Sequence, residues 1–347
     1  MQTLAAMYYA SNDLRIEEVE LPPLEANGLL LNVKACGICG SDVERIGYGK
    51  LMRGQPCGGH EISGVIVDVA SETTGFRAGD RVVVIRHIPC YVCYYCAANQ
   101  ETLCESYKET RVYPGGYSKL VSISGENVSR GVFKISEHVS HREAAMTELV
   151  ADCLRSVIRS GLKATEIVHV IGGGPAGLIH LQIAGIFGAG KVILSEHHDS
   201  RVHTAEKLGA DLAFNAKRDD PVKIVMEATG KKGADVVFVT SSSVKAFEEG
   251  LKTARRGGRV MVFGSFQHLP TAECVINPRV FSESEVTVTG SCSYRPADIP
   301  PALNLITRGK VNVRDLITHS FRLEDFAEAL KLAAEGKENC LKVVIEP

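Results

Sequence analysis

The chain has 347 residues, more than one hydrophobic core usually serves, and its 45% hydrophobic and 23% charged content is that of a globular protein with two domains. A formal net charge of -2, with Lys and Arg scattered along the chain, excludes the basic footprint of a nucleic-acid binder and the polybasic patch of a membrane-surface protein. No apolar run reaches about 18 residues, and the start MQTLAAMYYASNDLRIEE has neither the basic opening nor the apolar centre of a secretory signal, so a cytoplasmic, reducing location is expected.

Residues 4–85 read as β-rich. LRIEEVEL, GLLLNVKAC, EISGVIVDVA and DRVVVIR alternate or run apolar and β-branched, with Gly, Pro and Asn between them. Within them stand two segments rich in metal-binding residue types, CGICGSD from Cys36 to Asp42 and GGHE from Gly58 to Glu61.

CYVCYYCAANQETLC then places Cys90, Cys93, Cys96 and Cys104 in fifteen residues. Two disulfides, two redox dithiols or one metal cage are the readings available. Eleven cysteines, an odd number in a long chain without an export signal, do not make a disulfide framework. The C-x2-C-x2-C-x7-C spacing brings four thiolates around one tetrahedral zinc, and Pro89 with the polar AANQET stretch predicts an irregular lobe. Four protein ligands close the coordination sphere, so this zinc is structural and the chemistry lies elsewhere. Cys57, Cys153, Cys274, Cys292 and Cys340 lack paired spacing and read as core residues; Cys36 reads as a buried thiol.

GGYSKLVSIS resumes as strand, and HREAAMTELVADCLRSVIRSG reads as one helix ending before Gly161. From about residue 165 short apolar strands alternate with amphipathic helices: EIVHVIGG, KVILSE, DLAFNA, ADVVFVTS and RVMVFGS are strands, and the helices include VKAFEEGLKTARRGG. That alternation implies a parallel sheet covered on both faces. IPPALNLITRGK and EDFAEALKLAAEG are helical, and LKVVIEP is a final strand. The expected fold class is α/β, a doubly wound parallel Rossmann sheet (153–292) inserted in a β-rich domain (1–152 and 293–347).

VHVIGGGPAGLIH sets Gly172, Gly174 and Gly177 in G-x-G-x-x-G between a strand and a helix, with Pro175 and Ala176 inside the motif. Gly172 allows the tight turn, Gly174 the approach of a pyrophosphate, and Gly177 the packing of helix on strand. Glu196 ends the next strand, where a carboxylate accepts both hydroxyls of the adenosine ribose and repels a 2′-phosphate. NAD is expected over NADP, although His197, His198 and Arg201 add positive charge beside it.

Taken together, GICGSD, GHE, the four-cysteine lobe, the glycine fingerprint and the acidic residue after it, in this order and spacing over nearly the whole chain, resemble the zinc-dependent medium-chain dehydrogenases, the alcohol and polyol (sorbitol dehydrogenase-like) family. The resemblance implies a GroES-like catalytic domain, one structural and one catalytic zinc, NAD, and a homodimer or homotetramer. It further implies that Cys39 and His60 are catalytic zinc ligands and that Glu61 or Glu148, in MTELVADC, completes the set. Alcohol dehydrogenases carry cysteine where Glu148 stands and polyol-type members carry glutamate, which implies a polyol, sugar or inositol-like secondary alcohol as substrate. Asp42 resembles the carboxylate that orients the zinc-bound histidine, and Ser41 the group that takes the substrate proton. Relatives with a full proton relay have histidine where this chain has Glu44, so the end of the relay stays open. L-threonine 3-dehydrogenase-like amino-alcohol oxidation is the alternative within the family, although those relatives have GTD where this chain has Gly40-Ser41-Asp42. A non-catalytic NAD-binding zinc scaffold is the alternative outside it. Arg86 and His87, just before the cysteine lobe, either face the substrate or end a strand at the surface. Substrate shape is expected to depend on loops 44–56, 86–89, 110–116 and 264–295.

Overall fold

The computed structural model describes residues 1–347 apart from 110–111, 267–272 and 338–339, so parts of two of those loops lie outside the described residues. The chain divides into two compact units: 1–151 with 293–309 and 313–347, and 152–292 with 310–312. Among the described residues no helix is long and apolar enough to cross a membrane.

The first unit is built mainly on antiparallel strands, with one parallel pair between Ile317–Arg322 and Lys342–Glu346. Its larger sheet runs in the order Ile317–Arg322, Lys342–Glu346, Leu29–Gly37, Glu61–Val69, Arg81–Val84, Val132–Lys134, with Leu120–Ile123 also paired to Leu29–Gly37. Leu29, Leu31, Val33, Ile62, Ile66, Val82, Val84, Val121 and Ile123 form its core, which explains the β-branched alternation of these segments. A smaller three-stranded sheet joins Asp13–Glu20, Gln2–Ala10 and Gln55–Pro56. Strand register fixes the neighbours of the GHE segment. Gly37 pairs with Glu61 on one side and with Val344 on the other, so the last strand of the chain lies beside it.

The second unit holds a six-stranded parallel sheet in the order Leu212–Asn215, Lys191–Glu196, Ile167–Ile171, Ala234–Val239, Ala254–Val262, Thr287–Gly290. Numbered along the unit this is 3-2-1-4-5-6, the dinucleotide-binding order. Val168, Val170, Ile193, Leu194, Val236, Val237 and Phe238 are fully buried, as strands covered on both faces require. His169 sits among them without a chemical role: its two ring nitrogens meet Thr253 Oγ1 at 3.0 Å and Ser195 Oγ at 3.1 Å, and burial lowers its pKa to about 3.

Four local expectations differ from the structure. The single helix expected over 141–160 is two, His141–Ala145 and Thr147–Ser160. The first is started by a reciprocal N-terminal cap between Ser140 and Glu143, and its C-cap Met146 separates it from the second. The helix expected to run through ARRGG ends at Thr253, because Ala254 already pairs with Ala234 in the sheet. The cysteine lobe contains a helical turn, Tyr94–Ala97, and a 3-10 turn, Glu101–Leu103. Cys292 is exposed and Cys274 half-buried, so neither is a core residue.

Candidate active site

The helix Gly40–Gly47 follows the strand Leu29–Gly37 directly, and Cys39 is its N-cap. Asp42, in the first turn, accepts the Cys39 backbone N–H at 3.2 Å, which fixes the direction in which the Cys39 thiol leaves the chain. Gly58 and Gly59, with φ of +86° and +92°, turn the chain so that His60 and Glu61 enter the next strand pointing back at Cys39. The ligand atoms of Cys39, His60 and Glu61 all lie within 4.8 Å of one another.

Asp42 organises this cluster. Its buried carboxylate meets His60 Nδ1 at 3.4 Å, accepts from Arg45 Nη2 at 3.2 Å and from the Tyr117 hydroxyl at 2.7 Å. Burial alone would favour the neutral acid, but His60, Arg45 and Tyr117 together hold it well below the usual carboxylate range. With Nδ1 committed to Asp42, Nε2 is the His60 nitrogen left for a ligand's role.

The cluster fits a divalent metal. Glu61 Oε2 and Glu148 Oε2 are both buried and without a hydrogen-bond partner. Two bare carboxylate oxygens near a thiol and an imidazole cost free energy unless a cation satisfies them. A sulfur, a nitrogen and carboxylate oxygens suit zinc. Glu148, in the first turn of Thr147–Ser160, stands outside the 4.8 Å group, and its pKa is pushed up to about 7, chiefly by burial, with Glu61 and Asp42 adding to the rise.

Lys342, like Arg45 and Tyr117 around Asp42, is a site residue that its local sequence does not reveal. Its ammonium contacts Glu61 Oε1 at 2.5 Å with both side chains almost fully buried. The pair fits because Gly37 lies between its strands: a Cβ there would strike the Glu61 carboxylate and come within 2.8 Å of Lys342 Cε. Lys342→Met leaves the Glu61 charge buried and unpaired, so the zinc-free protein is expected to lose about 3–5 kcal/mol of stability. Denaturant midpoints of the metal-stripped proteins measure this, and equal midpoints would contradict the role.

The second metal cluster is Cys90, Cys93, Cys96 and Cys104, whose sulfurs also lie within 4.8 Å of one another. The backbone N–H groups of Val92 and Cys93 point at Cys90 Sγ, at 3.5 and 3.3 Å, and lower its pKa to about 6; Cys104 Sγ accepts the Cys90 N–H at 3.2 Å. Such N–H to sulfur bonds favour thiolates, the form that binds zinc. Tyr91, between the first two ligands, has a left-handed φ of +63°, which folds the loop back on itself.

In the second unit Gly172 has a φ of +106°, and a Cβ on Gly177 would collide with the Gly172 carbonyl. A Cβ on Gly174 would meet nothing within 4 Å, which leaves the backbone open to a phosphate at the start of the helix Pro175–Ile186. Ala176 lies in its first turn. Glu196 accepts from Gly173 N at 2.5 Å, His197 N at 2.6 Å and His198 N at 3.1 Å, so its carboxylate is locked under the glycine turn. Arg201 follows on the helix Asp199–Lys207. Glu196→Gln is expected to lower kcat/KM for NAD about 10- to 100-fold, the worth of one or two bonds to a charged group, and to raise the NADP to NAD ratio. Initial rates with both cofactors measure it, and an unchanged ratio would contradict it.

Of the remaining expected residues, Ser41 is exposed at the start of Gly40–Gly47 and Glu44 is half-buried further along it. Cys36 is fully buried, with burial pushing its thiol well above its ordinary pKa.

Comparison with known proteins agrees with this geometry. Residues 25–135 match the family described as alcohol dehydrogenase GroES-like domain, and residues 175–308 match zinc-binding dehydrogenase. The chain is 28% identical to a sorbitol dehydrogenase of Bacillus subtilis, over 99% of this chain and 97% of that protein. It is 31% identical to an erythritol/L-threitol dehydrogenase of Mycolicibacterium smegmatis, over 99% and 97%. The crystal structure of an Escherichia coli oxidoreductase/dehydrogenase of unknown specificity superposes with a TM-score of 0.91 at 25% identity, covering 100% of this chain and 99% of that one. With two clusters of metal-ligating residues and an NAD-binding sheet in place, the chain belongs to the zinc-binding medium-chain dehydrogenases of the alcohol dehydrogenase superfamily and is an NAD-dependent enzyme acting on CH–OH groups.

Proposed function

We propose that the enzyme oxidises a secondary alcohol of a polyhydroxylated substrate, a polyol, sugar or inositol-like compound, to the ketone. The observation that carries this reading is the buried Glu148 carboxylate, its Oε2 without a hydrogen-bond partner, beside the Cys39–His60–Glu61 cluster, where alcohol-type relatives would hold cysteine. The sorbitol and erythritol/L-threitol dehydrogenases among its relatives support it. When bound, zinc lowers the pKa of the substrate hydroxyl and NAD accepts the hydride.

The chain's own residues do the rest. Cys39 and His60, with Glu61 or Glu148, hold the metal, and Asp42 keeps the His60 ring oriented through Nδ1. Lys342 balances Glu61, so the site does not accumulate negative charge around the developing alkoxide. Ser41, exposed at the helix start, takes the hydroxyl proton, and Glu44 on the same helix offers it a way to solvent. Glycines 172, 174 and 177 with Pro175 and Ala176 seat the pyrophosphate, and Glu196 with Arg201 holds the adenosine ribose.

The four-cysteine lobe leaves Val92 86% and Tyr94 78% exposed, an apolar surface in keeping with a homodimer or homotetramer. Eleven cysteines without a disulfide are in keeping with a cytoplasmic home. The test is NADH formation by the zinc-replete protein over polyols, sugars, inositols, amino alcohols and simple alcohols. Turnover confined to polyhydroxylated substrates is the expected result. Turnover confined to simple or amino alcohols would overturn the reading.

A further inference from the structure

Two arginines converge beside the metal cluster, and one of them makes no ion pair among the described residues. Arg45 comes from the helix Gly40–Gly47, and Arg86 follows the strand Arg81–Val84. Both reach Gly58, two residues before His60: a Cβ on Gly58 would lie 2.9 Å from Arg45 Nη2 and 3.0 Å from Arg86 Nη1. Gly58 is therefore the gap that lets two guanidinium groups approach one point. Arg45 is committed, donating to Asp42 Oδ1 at 3.2 Å and to the Cys57 carbonyl at 2.5 Å. Arg86 is not. Its Nε is enclosed without a hydrogen-bond partner, and no carboxylate among the described residues forms an ion pair with it.

Its surroundings offset the charge only in part. Burial first and then the Arg45 charge push the Arg86 pKa down, the Asp42 and Glu148 charges oppose them only in part, and a guanidinium does not lose its proton near neutral pH. His87, next in the chain, supplies no charge of either sign. Its ring lies 6.4 Å from that of His60 and 5.5 Å from that of Tyr107, and burial with the neighbouring cations lowers its pKa to about 3. A half-buried cation left unpaired next to a catalytic metal cluster is what a site for an anionic substrate group looks like before the substrate arrives.

We propose that Arg86, with Arg45 behind it, binds the carboxylate of the substrate, so that the preferred substrate is a polyhydroxy acid and not the corresponding neutral polyol. This rests on the polyhydroxylated-alcohol reading and narrows it. A guanidinium fork matches a carboxylate through two parallel N–H to oxygen bonds. Carboxylate is favoured over phosphate because Arg86 makes no ion pair while Asp42 answers Arg45, and the buried Asp42 and Glu148 carboxylates whose charges reach Arg86 would repel a dianion more than a monoanion.

The test compares five- and six-carbon aldonates with the matching alditols and alditol phosphates, in wild type, Arg86→Gln and Arg86→Lys. The wild type is expected to show kcat/KM about 100-fold higher for an aldonate than for its alditol. Arg86→Gln should raise KM for the acid about 100-fold with kcat within a few-fold, leave the alditol constants unchanged, and be partly rescued in Arg86→Lys. On the wild type alone, a short carboxylate that cannot be oxidised should inhibit alditol oxidation competitively, which keeps the test open if the variants do not fold. Alditols preferred over acids, with no such inhibition, would overturn this inference and leave the polyol reading intact. Preference for the phosphates would overturn the carboxylate assignment. No turnover of any polyhydroxylated compound would overturn both readings.

Discussion

Cys39→Ala is expected to reduce NAD-linked turnover by about 10³- to 10⁴-fold while the protein stays folded and keeps one zinc per chain. A Lewis-acid metal contributes several kcal/mol to stabilising the developing alkoxide, and each 1.36 kcal/mol is about tenfold in rate. Folding should survive because Cys39 is only partly buried and its structural duty is carried by its backbone. The Asp42 carboxylate holds the Cys39 N–H, not its sulfur, and that cap remains in the variant. Zinc analysis and steady-state rates on the same preparation check both halves. A variant with two zincs, or with turnover near that of the wild type, would remove Cys39 from the metal site.

Cys104→Ser should act in the opposite sense, on the fold more than on the chemistry. The lobe has little core of its own: Cys96, Cys104 and Tyr107 are its buried residues, with Cys90 and Cys93 packed against them. Leu103, Val92 and Tyr94 face outward. In such a segment metal binding takes the place of hydrophobic burial, and structural zinc sites are worth about 10–16 kcal/mol in small isolated domains. Losing one thiolate is expected to release that zinc and to make residues 90–104 the first point of proteolytic cleavage. NAD binding should persist, since the glycine turn and Glu196 lie in the other unit. Limited proteolysis, zinc content and cofactor titration measure these, and an unchanged zinc content with an intact lobe would contradict the account.

Much of this was readable from the sequence because the chemistry is local there. Four cysteines in fifteen residues, or three glycines between a strand and a helix, bring their functional atoms together whatever the rest of the chain does. The parallel sheet was equally legible, since strands buried on both faces write continuous apolar runs such as Val236, Val237, Phe238 and Val239. The helix Gly40–Gly47 was not. It is short, begins and ends on glycine, and buries only Asp42 and Ile46, so it carries almost no periodic signal.

The residues that surround the metal cluster were hidden for a different reason. Lys342 stands 281 residues from Glu61, and only the pairing of Gly37 with strands on both sides brings them together. Arg45 and Arg86 meet over Gly58 through a helix and a strand end whose alignment no spacing rule encodes. Burial decided other cases. Cys292 had the same unpaired spacing as Cys153, yet one is exposed and the other fully enclosed.

The most direct measurement is a stepwise chelation of the wild-type protein, following bound zinc, NADH formation and the folded state in the same samples. Turnover should fall in proportion to loss of one zinc per chain, with the fold intact and the second zinc still bound, and should return when zinc is added back. Turnover that persists after that zinc has gone would contradict the assignment of Cys39, His60 and their acidic neighbours as the catalytic centre.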